Sequence, residues 1–180
     1  MSSIETITNP AISTDGNAGK SKGISVKDVG VTFNAGEENE VEALHPVAID
    51  FAPGDFIALV GPSGCGKSTL LNVLAGFINP STGKALIGED EVTEPDIDHG
   101  MVFQDYALFP WLNVIDNVSF GLERMGMNKA DRYAKAREYL AMVGLQDFAE
   151  KRTNELSGGM KQRVAIARVF ATDPSVILMD

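Results

Sequence analysis

The sequence contains little cysteine, little positive charge and no long apolar run. One cysteine, Cys65, stands among 180 residues, so an internal disulfide is excluded and a reducing compartment such as the cytoplasm is favoured. The formal net charge of −10 argues against a nucleic-acid backbone as the main partner. No apolar segment approaches the roughly 20 residues that span a bilayer. Any phosphate-binding site is therefore expected to be confined to a small local group of residues. If the protein works at a membrane, we expect it to do so from outside the bilayer.

The N-terminal half is predicted to form an antiparallel sheet followed by a buried strand and a helix. Residues 1–23 lack the features of a signal peptide and are expected to be a flexible tail. Apolar residues alternate in 24–33 and 47–51, which predicts half-buried antiparallel strands. The continuous apolar run 56–60 favours a parallel strand buried on both faces. A helix over about 70–77, a turn at 80–83 and a strand from near Ala85 follow.

The C-terminal half is predicted to be mainly helical between two apolar strands. Residues 99–103 and 176–180 are the apolar runs, and the second ends in Asp180. The helical insert between them contains an amphipathic helix that Asn128 caps and Gly144 ends. Asn128-Lys-Ala-Asp131 also matches the guanine-binding motif N-K-x-D, but it opens a helix instead of following a buried strand, so capping is the favoured interpretation.

A glycine-rich segment directly after the run 56–60 has the spacing of a phosphate-binding loop. Backbone N–H groups of such a loop turn inward around phosphate oxygens, and the helix that begins there adds the positive end of its dipole. The alternative, a chance glycine-rich turn, is disfavoured by the flanking strand and helix. The predicted nucleotide-binding residues are Gly61, Pro62, Ser63, Gly64, Cys65, Gly66, Lys67, Ser68 and Thr69.

Three residues of this loop have specific expected roles. Lys67 holds the β- and γ-phosphates, Ser68 ligates Mg²⁺, and Thr69 bonds the α-phosphate. Cys65 occupies a variable position and is interpreted as filler, because a catalytic thiol would need a base that the sequence does not supply. His45 and His99 are isolated, lack metal-ligand spacing and are interpreted as structural.

A second anion site is predicted at Ser157-Gly158-Gly159, just before a helix over about 160–171. The free N–H groups of a helix start and a serine hydroxyl favour an anion, although a simply capped helix start is the alternative. The whole segment Leu156-Ser-Gly-Gly-Met-Lys-Gln-Arg163, downstream of the phosphate loop, resembles the signature of the ATP-binding subunits of ABC transporters. The resemblance extends over nearly the whole chain from Ile24.

This resemblance implies a P-loop NTPase fold with a RecA-like parallel-sheet core, an N-terminal antiparallel β subdomain and a helical insert. The expected divisions are 24–104 for the β subdomain and core, 105–155 for the insert, and 156–180 for the signature helix and the Walker B strand. ATP would be sandwiched between two copies, with Ser157 acting in trans on the γ-phosphate bound by the other subunit. Hydrolysis would then require a dimer.

Three further residues match positions of functional importance in that family. Phe33 is the aromatic expected to stack on adenine, with an ordinary strand aromatic as the alternative. Gln104 follows an apolar strand, matches the Q-loop and is expected to reach the metal and the attacking water. Asp180 ends another apolar strand and is expected to hold Mg²⁺ through water, with an ordinary surface acid as the alternative. Lys67, Gln104, Ser157 and Asp180 are the predicted catalytic residues.

Phe109-Pro110-Trp111 and Asp116-Asn117-Val118 resemble the nitrate, sulfonate and taurine importer branch, although Trp111 could simply pack at a loop. The implied partners are a second copy or a homologous ATPase subunit, an integral-membrane permease and, indirectly, a solute-binding protein. The implied location is cytoplasmic, on the inner face of the cell membrane. The alternatives are a nucleotide-binding module without productive hydrolysis and a soluble ABC ATPase of DNA repair or translation.

The family places a catalytic glutamate directly after the Walker B aspartate, followed by a D-loop and a switch histidine. The 180 residues stop at Asp180, before these elements. We therefore expect weak or no ATP turnover from these residues alone.

Overall fold

The computed structural model describes residues 5–9 and 20–180, with side chains described for 20–180. The chain divides into two compact units, Met1–Asp96 and Ile97–Asp180. The first unit contains the predicted antiparallel sheet and phosphate loop. The second contains the predicted helical insert, signature segment and terminal strand.

The first unit is built on a four-stranded antiparallel sheet. Its strands are β2 (Ile24–Phe33), β3 (Val41–Phe51), β5 (Thr82–Ile87) and β6 (Asp90–Glu91), in the order β3, β2, β5, β6. The predicted antiparallel pair is confirmed, with Ile24 opposite Phe51 and Phe33 opposite Val41. The strand expected from near Ala85 begins earlier, at Thr82, because its pairing with β2 extends to Gly30. Val26, Val29, Val31, Leu44, Ala85 and Ile87 form the buried side of this sheet.

The strand before the phosphate loop differs from its sequence prediction. β4 (Phe56–Val60) is a strand, but it pairs antiparallel with β1 (Glu5–Asn9), which lies within the predicted flexible tail. Its burial is only partial, and Phe56 is 74% exposed. An apolar run shows that a strand can be buried, whereas its direction and burial depend on neighbouring strands that the run does not encode. Of the rest of the predicted tail, residues 1–4 and 10–19 lie outside the described residues, whereas residues 20–23 are described and belong to no helix or strand.

The second unit is a helical layer around one apolar core. Its helices are α2 (Val114–Arg124), α3 (Lys129–Met142) and α4 (Gly158–Ala171), with short 3₁₀ turns at Gln146–Phe148 and Thr153–Glu155. The side chain of Asn128 accepts a hydrogen bond from the Asp131 N–H at 3.1 Å, so its role as a helix cap is confirmed. Gly144, at φ 69°, follows α3 in the left-handed conformation that commonly ends helices. The core contains Val114, Ile115, Val118, Leu122, Ala136, Leu140, Leu145, Val164, Ala167 and Ala171.

Two parallel strands complete the second unit. β7 (His99–Val102) pairs with β8 (Val176–Met179), with His99 opposite Val176 and Val102 opposite Met179. Met101, Val102, Val176 and Leu178 are buried. Both apolar runs therefore form strands, as the sequence predicts. Among the described residues, no helix combines the length and the apolar character needed to cross a membrane.

Candidate functional site

The phosphate loop joins the end of β4 to α1 (Lys67–Leu74). Gly66, the residue before α1, has a left-handed φ of 96°, and no side chain caps this helix start. A Cβ on Gly66 would lie 2.7 Å from Leu44 Cδ1 and 2.9 Å from the Ala43 carbonyl oxygen, so glycine is needed for both conformation and space. Leu70, Val73 and Leu74 anchor α1 in the core. The loop therefore offers a rigid helix N-terminus that can receive an anion.

The Lys67 ammonium lies against its own loop. Its Nζ donates hydrogen bonds to the carbonyl oxygens of Gly61 at 2.9 Å and Pro62 at 2.7 Å, and it lies 3.5 Å from Cys65 Sγ. The positive charge of the ammonium is thereby held beside the helix N-terminus, which is the positive end of the helix dipole. A triphosphate bound to the loop would compete with these carbonyl groups for the ammonium, and a charged phosphate oxygen is the stronger acceptor.

Phe33 lies on the strand pair against which the phosphate loop packs. It ends β2 opposite Val41, only two residues along β3 from Ala43, whose carbonyl group approaches Gly66. Two residues of extended strand span about 7 Å. The ring is 43% exposed, which leaves apolar surface for stacking. Its role in adenine binding stays a prediction.

Gln104 and Asp180 emerge at the same end of the parallel pair β7 and β8. Gln104 follows Val102 by two residues, and Asp180 directly follows Met179, the register partner of Val102. The Asp180 N–H also donates to the Val102 carbonyl oxygen at 3.1 Å, which continues the pairing. Neighbouring strands lie about 4.8 Å apart. The structure thus brings together the backbones of two residues whose side chains carry oxygen ligands.

The signature segment forms the exposed start of α4. Ser157 is the N-cap, and its Oγ accepts a hydrogen bond from the Met160 N–H at 3.4 Å. Ser157, Gly158 and Gly159 are exposed, whereas Leu156 before them is buried. No heavy atom lies within 4 Å of the position of a Cβ on Gly159. The segment caps its helix, as the simpler interpretation expects, and still presents glycine backbone to an outside ligand.

The donor atoms suit the Mg²⁺ and ATP that the sequence predicts. Hard cations such as Mg²⁺ take oxygen ligands, and the hydroxyl of Ser68 and the side-chain oxygens of Gln104 and Asp180 are of that type. Among the residues that the structure describes, no group of three or more His, Cys, Asp or Glu residues could hold a metal ion by itself. Mg²⁺ at nucleotide sites is usually held by only one or two protein groups together with phosphate oxygens, and an oxygen donor of either kind can serve as such a group.

Sequence reasoning missed Arg168, whose guanidinium binds the segment that follows Gln104. Arg168 of α4 donates Nη1 to the Ala107 carbonyl oxygen at 2.7 Å and Nη2 to the Tyr106 carbonyl oxygen at 3.2 Å. Burial lowers the pKa of the Arg168 guanidinium below its ordinary value. A charged residue within an otherwise apolar helical run, Val164-Ala-Ile-Ala-Arg168-Val-Phe-Ala171, was the available signal.

Comparison with known proteins decides the family. The family model described as "ABC transporter" matches residues 44–180, well over half of the chain. The chain belongs to the ABC transporter family. Its fold is accordingly that of a P-loop NTPase of the ABC type, as the sequence predicts. The match includes the phosphate loop, Gln104, the signature segment and Asp180.

Relatives of this ABC chain include importer subunits. It is 47% identical over 158 residues to the taurine import ATP-binding protein TauB of Roseobacter denitrificans, covering 88% of this chain and 59% of the relative. It is 45% identical over 157 residues to TauB of Burkholderia pseudomallei, covering 87% of this chain and 60% of the relative. The chain thus spans a little over half the length of these curated relatives. Their names agree with the branch that the Phe109-Pro-Trp segment suggests.

A solved structure agrees with the fold. The chain is similar to the ATP-binding cassette MJ0796, in a dimeric structure of a post-hydrolysis state bound to ADP and Pi. The TM-score is 0.73 and the identity 32%, over 87% of this chain and 73% of that chain. A second dimeric structure of MJ0796 has the same TM-score and 33% identity.

Proposed function

We propose that this chain is the ATP-binding part of an ABC importer, which couples ATP binding and hydrolysis to the uptake of a small anion such as taurine, another sulfonate or nitrate. The observation that carries the proposal is the phosphate loop, with the left-handed Gly66 and the ammonium of Lys67 beside the start of α1. The names of the relatives support the importer branch and the class of solute.

ATP binding follows from the charge of the loop. The N–H groups at the start of α1 and the Lys67 ammonium attract the β- and γ-phosphates, Thr69 bonds the α-phosphate, and Phe33 stacks on adenine. These local groups are needed because the chain carries a net charge of −10 and repels anions elsewhere.

During hydrolysis, negative charge develops on the oxygens of the phosphoryl group that is transferred. The residues of the site stabilise this charge. Ser68, Gln104 and Asp180 would hold Mg²⁺, and the ion would supply neutralisation of the phosphate oxygens. Lys67 and the loop N–H groups stabilise the same charge from the protein. Gln104 orients the attacking water, and the signature segment of a second copy, with Ser157 first, contacts the γ-phosphate.

The proposed partners follow from exposed surfaces and from the relatives. A second copy or a homologous ATPase subunit faces the exposed Ser157-Gly158-Gly159, and the MJ0796 cassette is dimeric in its solved structures. An integral-membrane permease, served by a solute-binding protein, contacts the helical insert, where Trp111 is 68% exposed beside Phe109. The chain then works on the cytoplasmic face of the cell membrane. Co-purification of the protein with a membrane protein would support this assignment. Purification without any membrane protein would favour a non-transport ABC ATPase.

Mg-ATP titration of the complete encoded protein tests the binding role. We expect Lys67→Ala to raise the Kd for Mg-ATP at least tenfold, because the ammonium at the loop is lost. Lys84→Ala is the matched control: this exposed lysine of β5 pairs with Glu91 at 3.9 Å, and its removal should leave the Kd within twofold. An unchanged Kd for Lys67→Ala would overturn the proposal.

A further inference from the structure

The chain forms an unusual turn directly after Gln104. Tyr106 and Ala107 both have left-handed backbones, at φ 61° and 45°, although neither is glycine. The Tyr106 N–H donates to the Phe103 carbonyl oxygen at 3.1 Å, and the Ala107 N–H donates to the Asp105 carbonyl oxygen at 2.7 Å. Side chains disfavour this conformation, so it persists only where other contacts hold it. The contacts that hold this turn therefore control the segment on which Gln104 lies.

Arg168 supplies one such contact from within α4. Its guanidinium donates to both carbonyl groups of the left-handed pair, at 2.7 Å from Ala107 and 3.2 Å from Tyr106. It also lies over the Phe109 ring, with 5.5 Å between the guanidinium carbon and the ring centroid. A fork of N–H donors that binds two successive carbonyl groups fixes the turn in orientation as well as position.

Tyr106 supplies a second contact, at the other end of α4. Its hydroxyl oxygen lies 3.3 Å from the position that a Cβ on Gly158 would occupy, so the phenol reaches the first residue of the helix. Gly158 directly follows Ser157. Arg168 lies ten residues further along the helix, a rise of about 15 Å, and long helical side chains point back toward the N-terminus. The turn after Gln104 is thus held against α4 by Arg168 and touches its start through Tyr106.

We propose that Arg168 and Tyr106 are positioning residues that join the turn after Gln104 to α4, so that Gln104 and the signature residues Ser157-Gly158-Gly159 reach their working positions together. The proposal rests on the proposed function, because it gives both groups a role at ATP. In this arrangement, a displacement of Gln104 moves the turn that follows it. The movement reaches α4 through the hydrogen bonds of Arg168 and through the contact of Tyr106 with the start of the helix. In this proposal, both positioning residues act on the nucleotide site through other residues.

Kinetics of the complete encoded protein test this. We expect Arg168→Ala to lower kcat for ATP hydrolysis at least tenfold while the KM and the Kd for Mg-ATP stay within threefold, because the phosphate loop is intact. Arg168→Lys should recover part of kcat, since an ammonium can bind one of the two carbonyl groups. Tyr106→Phe should lower kcat about threefold by removing the hydroxyl at Gly158.

The matched control is Arg152→Ala. Its Nη1 donates to the Trp111 carbonyl oxygen at 3.1 Å, which is a bond of the same kind to the same connection between β7 and α2 but not from α4. We expect this variant to keep kcat within twofold. Equal loss of kcat in both arginine variants would overturn the proposal, because any bond to the connection would then suffice.

Hydrogen exchange separates positioning from general stability. In the wild-type protein, Mg-ATP should protect residues 105–109 and 156–160 together. In Arg168→Lys, which keeps the charge, the protection of 156–160 should fall at least threefold. The proposal would be overturned if both segments kept their protection in Arg168→Lys. It would also be overturned if a loss of kcat were matched by an equal loss of Mg-ATP binding.

Two further outcomes separate this proposal from the proposed function. A wild-type protein that binds no Mg-ATP would overturn both proposals, whereas normal Mg-ATP binding with an unchanged kcat in Arg168→Ala would overturn this one alone.

Discussion

A single backbone angle shapes the phosphate loop. At φ 96° Gly66 turns the chain from the loop into α1, and its missing side chain lets the loop lie against Ala43 and Leu44 of β3. The same packing brings the loop near the strand end that presents Phe33. One glycine therefore links the phosphate end of the site to its expected adenine end.

The substitution Gly66→Ala tests this link. We expect it to cost about 2–4 kcal/mol in the free energy of unfolding, from left-handed strain and from a Cβ 2.9 Å from a backbone oxygen. The Kd for Mg-ATP should rise at least tenfold. Gly36→Ala is the control, since Gly36 has φ 81° but no heavy atom within 4 Å of an added Cβ, and should cost about 1 kcal/mol. Urea unfolding and Mg-ATP titration measure both effects, and equal costs at the two glycines would contradict the argument.

Asn117 shows what sequence reasoning at single residues misses. In the sequence, Asp116-Asn117-Val118 indicates only a resemblance to the nitrate, sulfonate and taurine importer branch. The structure shows that the side chain of Asn117 is fully buried. Its Oδ1 accepts from the Phe109 N–H at 2.8 Å, and its Nδ2 donates to the carbonyl oxygens of Phe109 at 3.1 Å and Asn113 at 2.9 Å. The amide thus fixes the connection that presents Trp111. Bonds to distant backbone groups leave no periodic signal in the sequence, so the hydrogen-bond partners of Asn117 and Arg168 could not be found there.

At the level of elements, the sequence predicted best where local signals decide. The strands of the antiparallel pair follow from alternation, and α3 follows from the Asn128 cap and Gly144. The run 56–60 was predicted as a strand but wrongly as parallel and buried, because strand pairing is a tertiary property. The start of β5 was misplaced for the same reason: its first residues are polar or small, and only pairing with β2 makes them strand.

The contact between α2 and α3 includes a tyrosine whose ionisation is suppressed. The Tyr133 hydroxyl donates a hydrogen bond to Asp116 Oδ1. This bond, followed by burial and by the charge of Asp116, raises the pKa of Tyr133 from 10.0 to about 12. Asp116 lies in the first turn of α2 and Tyr133 in α3, so the protonated phenol stabilises the packing of the two helices.

Stability at alkaline pH tests that contact. Because the folded pKa is raised, the stabilisation is complete below pH 10 and is lost as the pH rises from 10 through about 12. We expect Tyr133→Phe to cost about 1 kcal/mol at pH 8, a value kept small because the pair is partly exposed to solvent. The difference from wild type should vanish near pH 12. Urea titrations at several pH values measure it, and a constant difference across this range would rule out the bond as its source.

At the scale of the whole molecule, charge makes self-association depend on local features. Each copy carries a net charge of −10, so two copies repel each other at long range. Attraction must come from short-range groups, and the helix starts at Gly66 and Ser157 can both face a shared anion. A Mg-ATP bound at one loop and contacted by the signature of another copy would add the missing attraction, which is why the proposed dimer depends on nucleotide.

The variant Ser157→Arg separates the two halves of this arrangement. A long cation at the start of α4 should block the second copy, so we expect the ATP-dependent dimer to weaken at least tenfold, or about 1.4 kcal/mol, in sedimentation. Mg-ATP binding by the monomer should stay within threefold, because the phosphate loop is unchanged. Asn128→Arg removes the cap of α3 and adds the same charge elsewhere in the same unit, and should leave the dimer intact. If the monomer lost affinity as strongly as the dimer did, one chain would use both elements on the same nucleotide, and the two-copy arrangement would be wrong.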